Sequence, residues 1–248
     1  MKSNVEVLRL IKSCGDNFVR LLQKLGILYV RPKRGLEPIG PAVGRQSTYT
    51  NPVNGEEPLH YVSENYYNGK VLLLYPLVIK HLAQAILTQM NKEYAIKEAE
   101  FQGLGPGGEM LAHILQLQMD KLLSNNSSIN SDNGRDKVVL VQDILEPIPL
   151  GKAIEANRNK GKLASLICTI VNPDTYFTDF IHAPQGPIML ITLIKEVLVR
   201  YRQDHLLVKA DVESGNIIWD PKNEWDKLAK VMEEADVESE RERQRLVV

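Results

Sequence analysis

The run from Lys137 to Gly161, KVVLVQDILEPIPLGKAIEANRNKG, constrains this chain more than any other stretch. Val138, Val139, Leu140 and Val141 are apolar without alternation, the pattern of a strand covered on both faces of a parallel sheet. That reading places Asp143 at the carboxyl end of a central strand. Ligands collect at this edge of open α/β sheets, because the loops there open a crevice and the following helix points its amino terminus into it. A proline-bearing loop, Leu145 to Gly151, comes next. Leu150, Ala153, Ile154 and Ala156 then form a short apolar helical face, with Lys152, Glu155 and Arg158 toward solvent. Strand, loop and helix make one βα unit.

A chain of 248 residues holds one α/β domain with a well-formed core, or a core plus a small appendage. Its 44% hydrophobic and 25% charged residues are ordinary for a globular protein. A net charge of -1 supplies no electrostatic case for nucleic acid or a membrane surface, and neither is expected as a partner. Cys14 and Cys168 lie in apolar surroundings and read as reduced core residues. Glu6 and Arg9 interrupt the apolar stretch at the amino terminus, so it does not read as a signal peptide. No apolar run reaches the roughly 20 residues that span a bilayer, and a cytoplasmic protein is the default expectation. The five histidines, His60, His81, His113, His182 and His205, are too dispersed to form a sequence-local metal cluster.

Apolar spacing predicts two short helices within residues 3–26, separated at Gly15-Asp16. Residues 31–45 are Pro/Gly-rich and read as irregular chain, and the turn signals Asn54-Gly55 and Asn68-Gly69 predict hairpins. From Leu77 to Met90 the periodicity is that of an amphipathic helix, and a second helix follows the glycine-rich stretch Gly103 to Gly108. That stretch also satisfies G-x-G-x-x-G through Gly103, Gly105 and Gly108. A dinucleotide site would need a second strand ending in an acidic residue about 20 positions on, where the sequence is instead rich in Ser and Asn. Ser124 to Asp136 is polar and of low complexity, a loop. Leu163 to Val171 is a second buried strand, Phe177 to Pro187 a loop, and Ile188 to Arg202 a helix. Residues 205–219 predict a hairpin around Ser214-Gly215, Trp225 to Val231 a short final helix, and residues 233–246 a frayed, charge-dense end.

The phrase KAIEANRNKG at Lys152 to Gly161, preceded by Gln142-Asp143, resembles the ribose-phosphate segment of type I phosphoribosyltransferases, and orotate phosphoribosyltransferase in particular. In that family the strand ends in two acidic residues that bond the ribose hydroxyls, and a Thr/Gly-rich loop wraps the 5-phosphate of phosphoribosyl pyrophosphate. LLLYP at Leu72 to Pro76 resembles the end of the family's hood, and Gly107-Gly108 its pyrophosphate loop. The resemblance implies an α/β fold with a parallel sheet of phosphoribosyltransferase type, a small hood and a divergent C-terminal extension. It places a phosphoribosyltransferase-like domain over residues 1–175, and a C-terminal extension packed on that same domain over 176–248. It makes ligand-binding candidates of Asp143, Gln142, Glu146, Gly107, Gly108 and Lys152, assigns no catalytic residue, and implies a homodimer. Asp143 is also the candidate Mg2+ ligand, with Mg2+ expected only if phosphoribosyl pyrophosphate binds.

The phosphate loop departs from the family's pattern. A phosphate cradle aims backbone N–H groups and hydroxyls at the phosphate oxygens. Here Pro147 and Pro149 each delete a donor, Glu146 adds a negative charge, and no Thr, Ser or internal Gly compensates. The family's mobile loop carries catalytic Lys and Arg residues, whereas the polar segment here contains only Arg135. The leading expectation is a phosphoribosyltransferase-like protein whose modified pocket binds a small phosphorylated or nucleotide ligand and serves binding or regulation. The alternatives are an active Mg-dependent orotate-type transferase and a pure interaction protein.

Overall fold

The computed structural model of the chain describes residues 2–34, 37–45, 60–93, 100–124, 137–172, 179–195 and 200–246. In chain order the elements begin with α1 (Asn4–Cys14), α2 (Phe18–Lys24), β1 (Leu28–Val30), β2 (Lys33–Arg34), β3 (Glu37–Pro38) and β4 (Ala42–Arg45). Next come β5 (Tyr61–Ser63), β6 (Asn65–Tyr67), α3 (Gly69–Leu72), α4 (Pro76–Glu93), β7 (Glu100–Gly103) and α5 (Gly105–Ser124). The central unit is β8 (Lys137–Ile144), α6 (Pro147–Asn159) and β9 (Leu163–Val171). The chain continues through β10 (Phe180–Ala183), β11 (Gly186–Ile194), β12 (Arg200–Arg202), α7 (Leu206–Ser214), β13 (Ile217–Ile218) and α8 (Trp225–Leu246). Two compact units form, one from Met1–Leu21 with Gly69–Val197, the other from Leu22–Asn68 with Leu198–Val248. The sequence reading placed its boundary at residue 175.

The first unit is built on a five-stranded sheet of order β10-β11-β9-β8-β7. β7, β8, β9 and β11 run parallel, and β10 pairs antiparallel with β11. This is the expected α/β fold with a parallel sheet. Val138, Val139, Leu140 and Val141 are all fully buried, which is why the run shows no alternation. Val138 and Leu140 join Leu150, Ala153 and Ile154 of α6 in one cluster, with Ile181, Ile188 and Leu190 from the outer strands. Alternation along the strand turns Val139 and Val141 to the opposite face. The helix α5 packs on β7 and β8, and α4 packs on α5 and β11. Gly161, at φ 74, closes the turn after α6 in the left-handed region.

The second unit carries the sheet β12-β5-β4-β13, the pair β1-β6 and the hairpin β2-β3. Its two chain segments are fastened by Arg31, whose Nη1 and Nη2 donate to the Asp211 carboxylate at 2.8 and 2.6 Å, while Nε donates to Gly40 O at 2.6 Å. Asn216 Nδ2 adds a bond to Asp211 Oδ1 at 2.9 Å. Burial alone raises the Asp211 pKa, but the Arg31 and Asn216 hydrogen bonds and the Arg31 charge outweigh it, and the carboxyl lies below its ordinary value. Trp219 lies so close to Gly44 that a methyl there would fall 2.1 Å from its ring.

Five local expectations are corrected. Ile188 to Arg202 does not form a helix: Gly186–Ile194 is the strand β11, because apolar residues follow one another too closely in this short run for spacing to separate the two forms. β10 occupies Phe180–Ala183, within the segment expected as a loop. Residues 205–219 do not form a hairpin. His205 caps α7 by accepting from Leu207 N–H, and Gly215, at φ 71, ends the helix as its left-handed cap. α8 runs 22 residues, because its charges fall at helical spacing, as in the Lys230–Glu234 pair. At Asn68-Gly69 the chain enters α3 rather than a hairpin. The expected turn at Asn54-Gly55 and the polar segment 125–136 lie outside the described residues.

Candidate functional site

The helices α5 and α6 both start at the carboxyl ends of parallel strands, α5 after β7 and α6 after β8. Leu104 N–H donates to Val141 O at 2.8 Å, carrying the β7–β8 pairing one residue past the strand. The chain then turns into α5 through Gly105, at φ 72. Gly107 and Gly108 are buried against the end of β8. A methyl at Gly108 would fall 2.5 Å from Val141 O and 3.1 Å from Gln142 Cα. A methyl at Gly107 would fall 2.3 Å from Asp143 Oδ2 and 2.4 Å from Asp143 Cγ. The Asp143 carboxylate therefore fills the volume a side chain at 107 would need. A negative group there is stabilised by the partial positive charge of the helix start.

Gln142 and Asp143 are neighbours on a strand, so their side chains leave on opposite faces. Asp143 turns to α5. Gln142, only 3% exposed, turns to α6, where its Oε1 accepts from Glu146 N–H at 3.3 Å. The amide is spent on bracing the connection. Thr169 Oγ1, on β9, lies 3.1 Å from Val171 O and 3.4 Å from Asp143 O, and Leu145 N–H donates to Val171 O at 2.9 Å. The backbone under the site is thus paired as far as residue 145.

The proline-bearing loop is a further correction to the sequence reading. It was expected over Leu145 to Gly151, but α6 begins at Pro147, leaving only Leu145 and Glu146 between strand and helix. Proline suits the first helical turn, since its φ is already near the helical value and its missing N–H would have no partner inside the helix. Glu146 stands at the cap, extended at φ -122 and ψ 114, and its exposed side chain makes no capping bond. Leu150 N–H donates back to Glu146 O at 3.3 Å. Of residues 147–149, only Ile148 has an N–H to offer an incoming anion. Lys152 is exposed on the next turn and forms no ion pair among the described residues.

Gly107, Gly108 and Asp143 therefore meet at one place, and Gln142 and Glu146 at an adjoining one. Sequence reasoning missed two features of α6. Asn157 is 5% exposed, and its Nδ2 donates to Gln102 Oε1 at 2.7 Å and Ala153 O at 2.9 Å, tying the helix to β7. A cavity of about 430 Å³ lies between α6 and the edge strand β10, away from the Gly107–Asp143 contact. Of its lining, Glu155 and Arg158 read in sequence as part of a solvated face, and Gly151 as the end of the loop. Among the described residues no group of three His, Cys, Asp or Glu side chains is placed to hold a metal, and no helix is long and apolar enough to cross a membrane.

No family model matches this chain, and no curated protein matches it either. Among solved structures it is similar to UMP synthase from Leishmania donovani, at 14% identity and a TM-score of 0.46, over 90% of this chain and 43% of that one. It is also similar to orotate phosphoribosyltransferase from Aeropyrum pernix, at 19% identity and a TM-score of 0.44, over 78% of this chain and 95% of that one. The chain spans less than half of the UMP synthase it matches, at that 43% share.

Proposed function

We propose that this chain is a phosphoribosyltransferase-like protein whose nucleotide crevice serves binding or regulation rather than efficient phosphoribosyl transfer. The start of α6 at Pro147 carries the proposal. A sugar phosphate is held by a loop that wraps it with N–H groups. A helix whose first three residues bring a single N–H, behind the exposed carboxylate of Glu146, has lost that capacity. The other anion site of the resemblance is changed too, because Asp143 sits over the first turn of α5. What the crevice keeps is a carboxylate able to accept hydrogen bonds from sugar hydroxyls. Mg2+ belongs to this reading only in company with phosphoribosyl pyrophosphate. Such a cation is typically held by one or two carboxylates plus phosphates, and Asp143 supplies one. A homodimer is part of the same proposal, by resemblance.

Calorimetry with phosphoribosyl pyrophosphate and Mg2+, paired with an orotate-depletion assay, tests the proposal. Weak binding, carried by the ribose hydroxyls rather than by the phosphate loop, and no turnover are the expected result. Turnover that Asp143→Asn abolishes overturns it in favour of an active transferase. No heat at millimolar ligand removes the nucleotide pocket altogether and leaves an interaction protein.

A further inference from the structure

The cavity beside α6 is a trough with an apolar floor and a polar rim. Leu150, Ile154 and Ile181 line it with apolar surface, and Glu155, Arg158 and His182 are among its polar groups. Along α6 the buried Leu150 and Ile154 floor it, while the exposed Glu155 and Arg158 stand at its outer rim, so apolar and charged surfaces lie on different sides of the helix. A volume of about 430 Å³, apolar with a few polar groups, falls within the range of small-molecule sites.

Two observations identify what it would hold. Glu155 and Arg158 are exposed, lie three residues apart on neighbouring turns, and make no ion pair or side-chain hydrogen bond among the described residues. An unpaired carboxylate beside an unpaired guanidinium complements a head group that carries both charges. Gly151, within the same helix, forms part of the wall, and a methyl there would meet nothing within 4 Å. Packing does not require glycine at this position, and glycine is a poorer helix residue than alanine. What its missing side chain provides is open space in the trough.

We propose that this trough binds a small zwitterion with an apolar tail, the chemistry of a large apolar α-amino acid. The carboxylate bonds Arg158, whose planar fork suits two parallel hydrogen bonds. The ammonium faces Glu155, and the tail lies along Leu150, Ile154 and Ile181. The site is independent of the Gly107–Asp143 crevice and stands whether or not that crevice binds a nucleotide.

Calorimetric titration of the full chain with L-phenylalanine, 3-phenylpropionate and 2-phenylethylamine tests the proposal. L-phenylalanine should bind saturably, and each analogue lacking one charge should bind about tenfold more weakly. Arg158→Gln and Glu155→Gln, both at exposed positions, should each weaken L-phenylalanine about tenfold. Gly151→Leu, which projects into open space, should abolish binding while the thermal midpoint holds or rises. Three results overturn the proposal: no saturable heat from L-phenylalanine at millimolar concentration, equal binding by either analogue, or binding unchanged in folded Gly151→Leu.

Discussion

The starts of α5 and α6 lie at one edge of one sheet, yet they have been closed in different ways. At α5 the glycines persist, and the backbone of Gly107 and Gly108 touches β8 so closely that Asp143 and Val141 O leave no room for a methyl. At α6 the glycines and hydroxyls are absent, and two prolines carry the helix back to within two residues of the strand. One site is covered by a side chain, which can move. The other opens on Pro147 and Pro149, whose backbone carries no N–H. The difference teaches that the α5 start is filled by a side chain packed against glycine, whereas the α6 start is set by which residues carry an N–H.

The largest effect is expected at Gly108. Gly108→Ala should destabilise the chain by about 3 kcal/mol, read from the urea midpoint, because the added methyl meets backbone rather than a movable side chain. A neutral result would mean that α5 and β8 are not in contact there. Gly107→Ala should cost less, about 1–2 kcal/mol, since Asp143 can yield. Pairing it with Asp143→Ala should recover part of that loss, because the carboxylate is removed while the Asp143 Cβ stays 2.9 Å from the added methyl, and two costs that simply add would show that the carboxylate does not fill the space at 107. The smallest effect is at α6. Glu146→Ser should stabilise by about 0.5–1 kcal/mol, because serine can bond the first-turn amides where Glu146 makes no capping bond. A loss of stability on that change would show that Glu146 already holds the helix start in solution.

Much of the central unit was legible before any coordinates. Doubly buried strands are written as unbroken apolar runs, and both Val138–Val141 and Leu163–Val171 proved to be strands of the sheet. The amphipathic helix after Leu77 likewise emerged as α4 (Pro76–Glu93), its periodicity long enough to be unambiguous. The same grammar failed at β11, where Ile188, Leu190 and Ile194 are buried in a strand although their spacing also suits a helix. It failed again at Gly215, where a helix cap and a hairpin turn use the same residue for the same positive φ.

At the candidate site, residue identity was enough to show that positions 147 and 149 offer no N–H, because that lack is a property of proline itself. Residue identity could not show that these prolines open a helix instead of lining a loop. Nor could it show that Gln142 and Asp143 part company, one bracing Glu146 and the other filling the space at Gly107. Chemistry of donors and charges is local and travels with each residue. Which groups share a volume depends on where distant segments come to rest, and only the packed sheet brought residue 107 against residue 143.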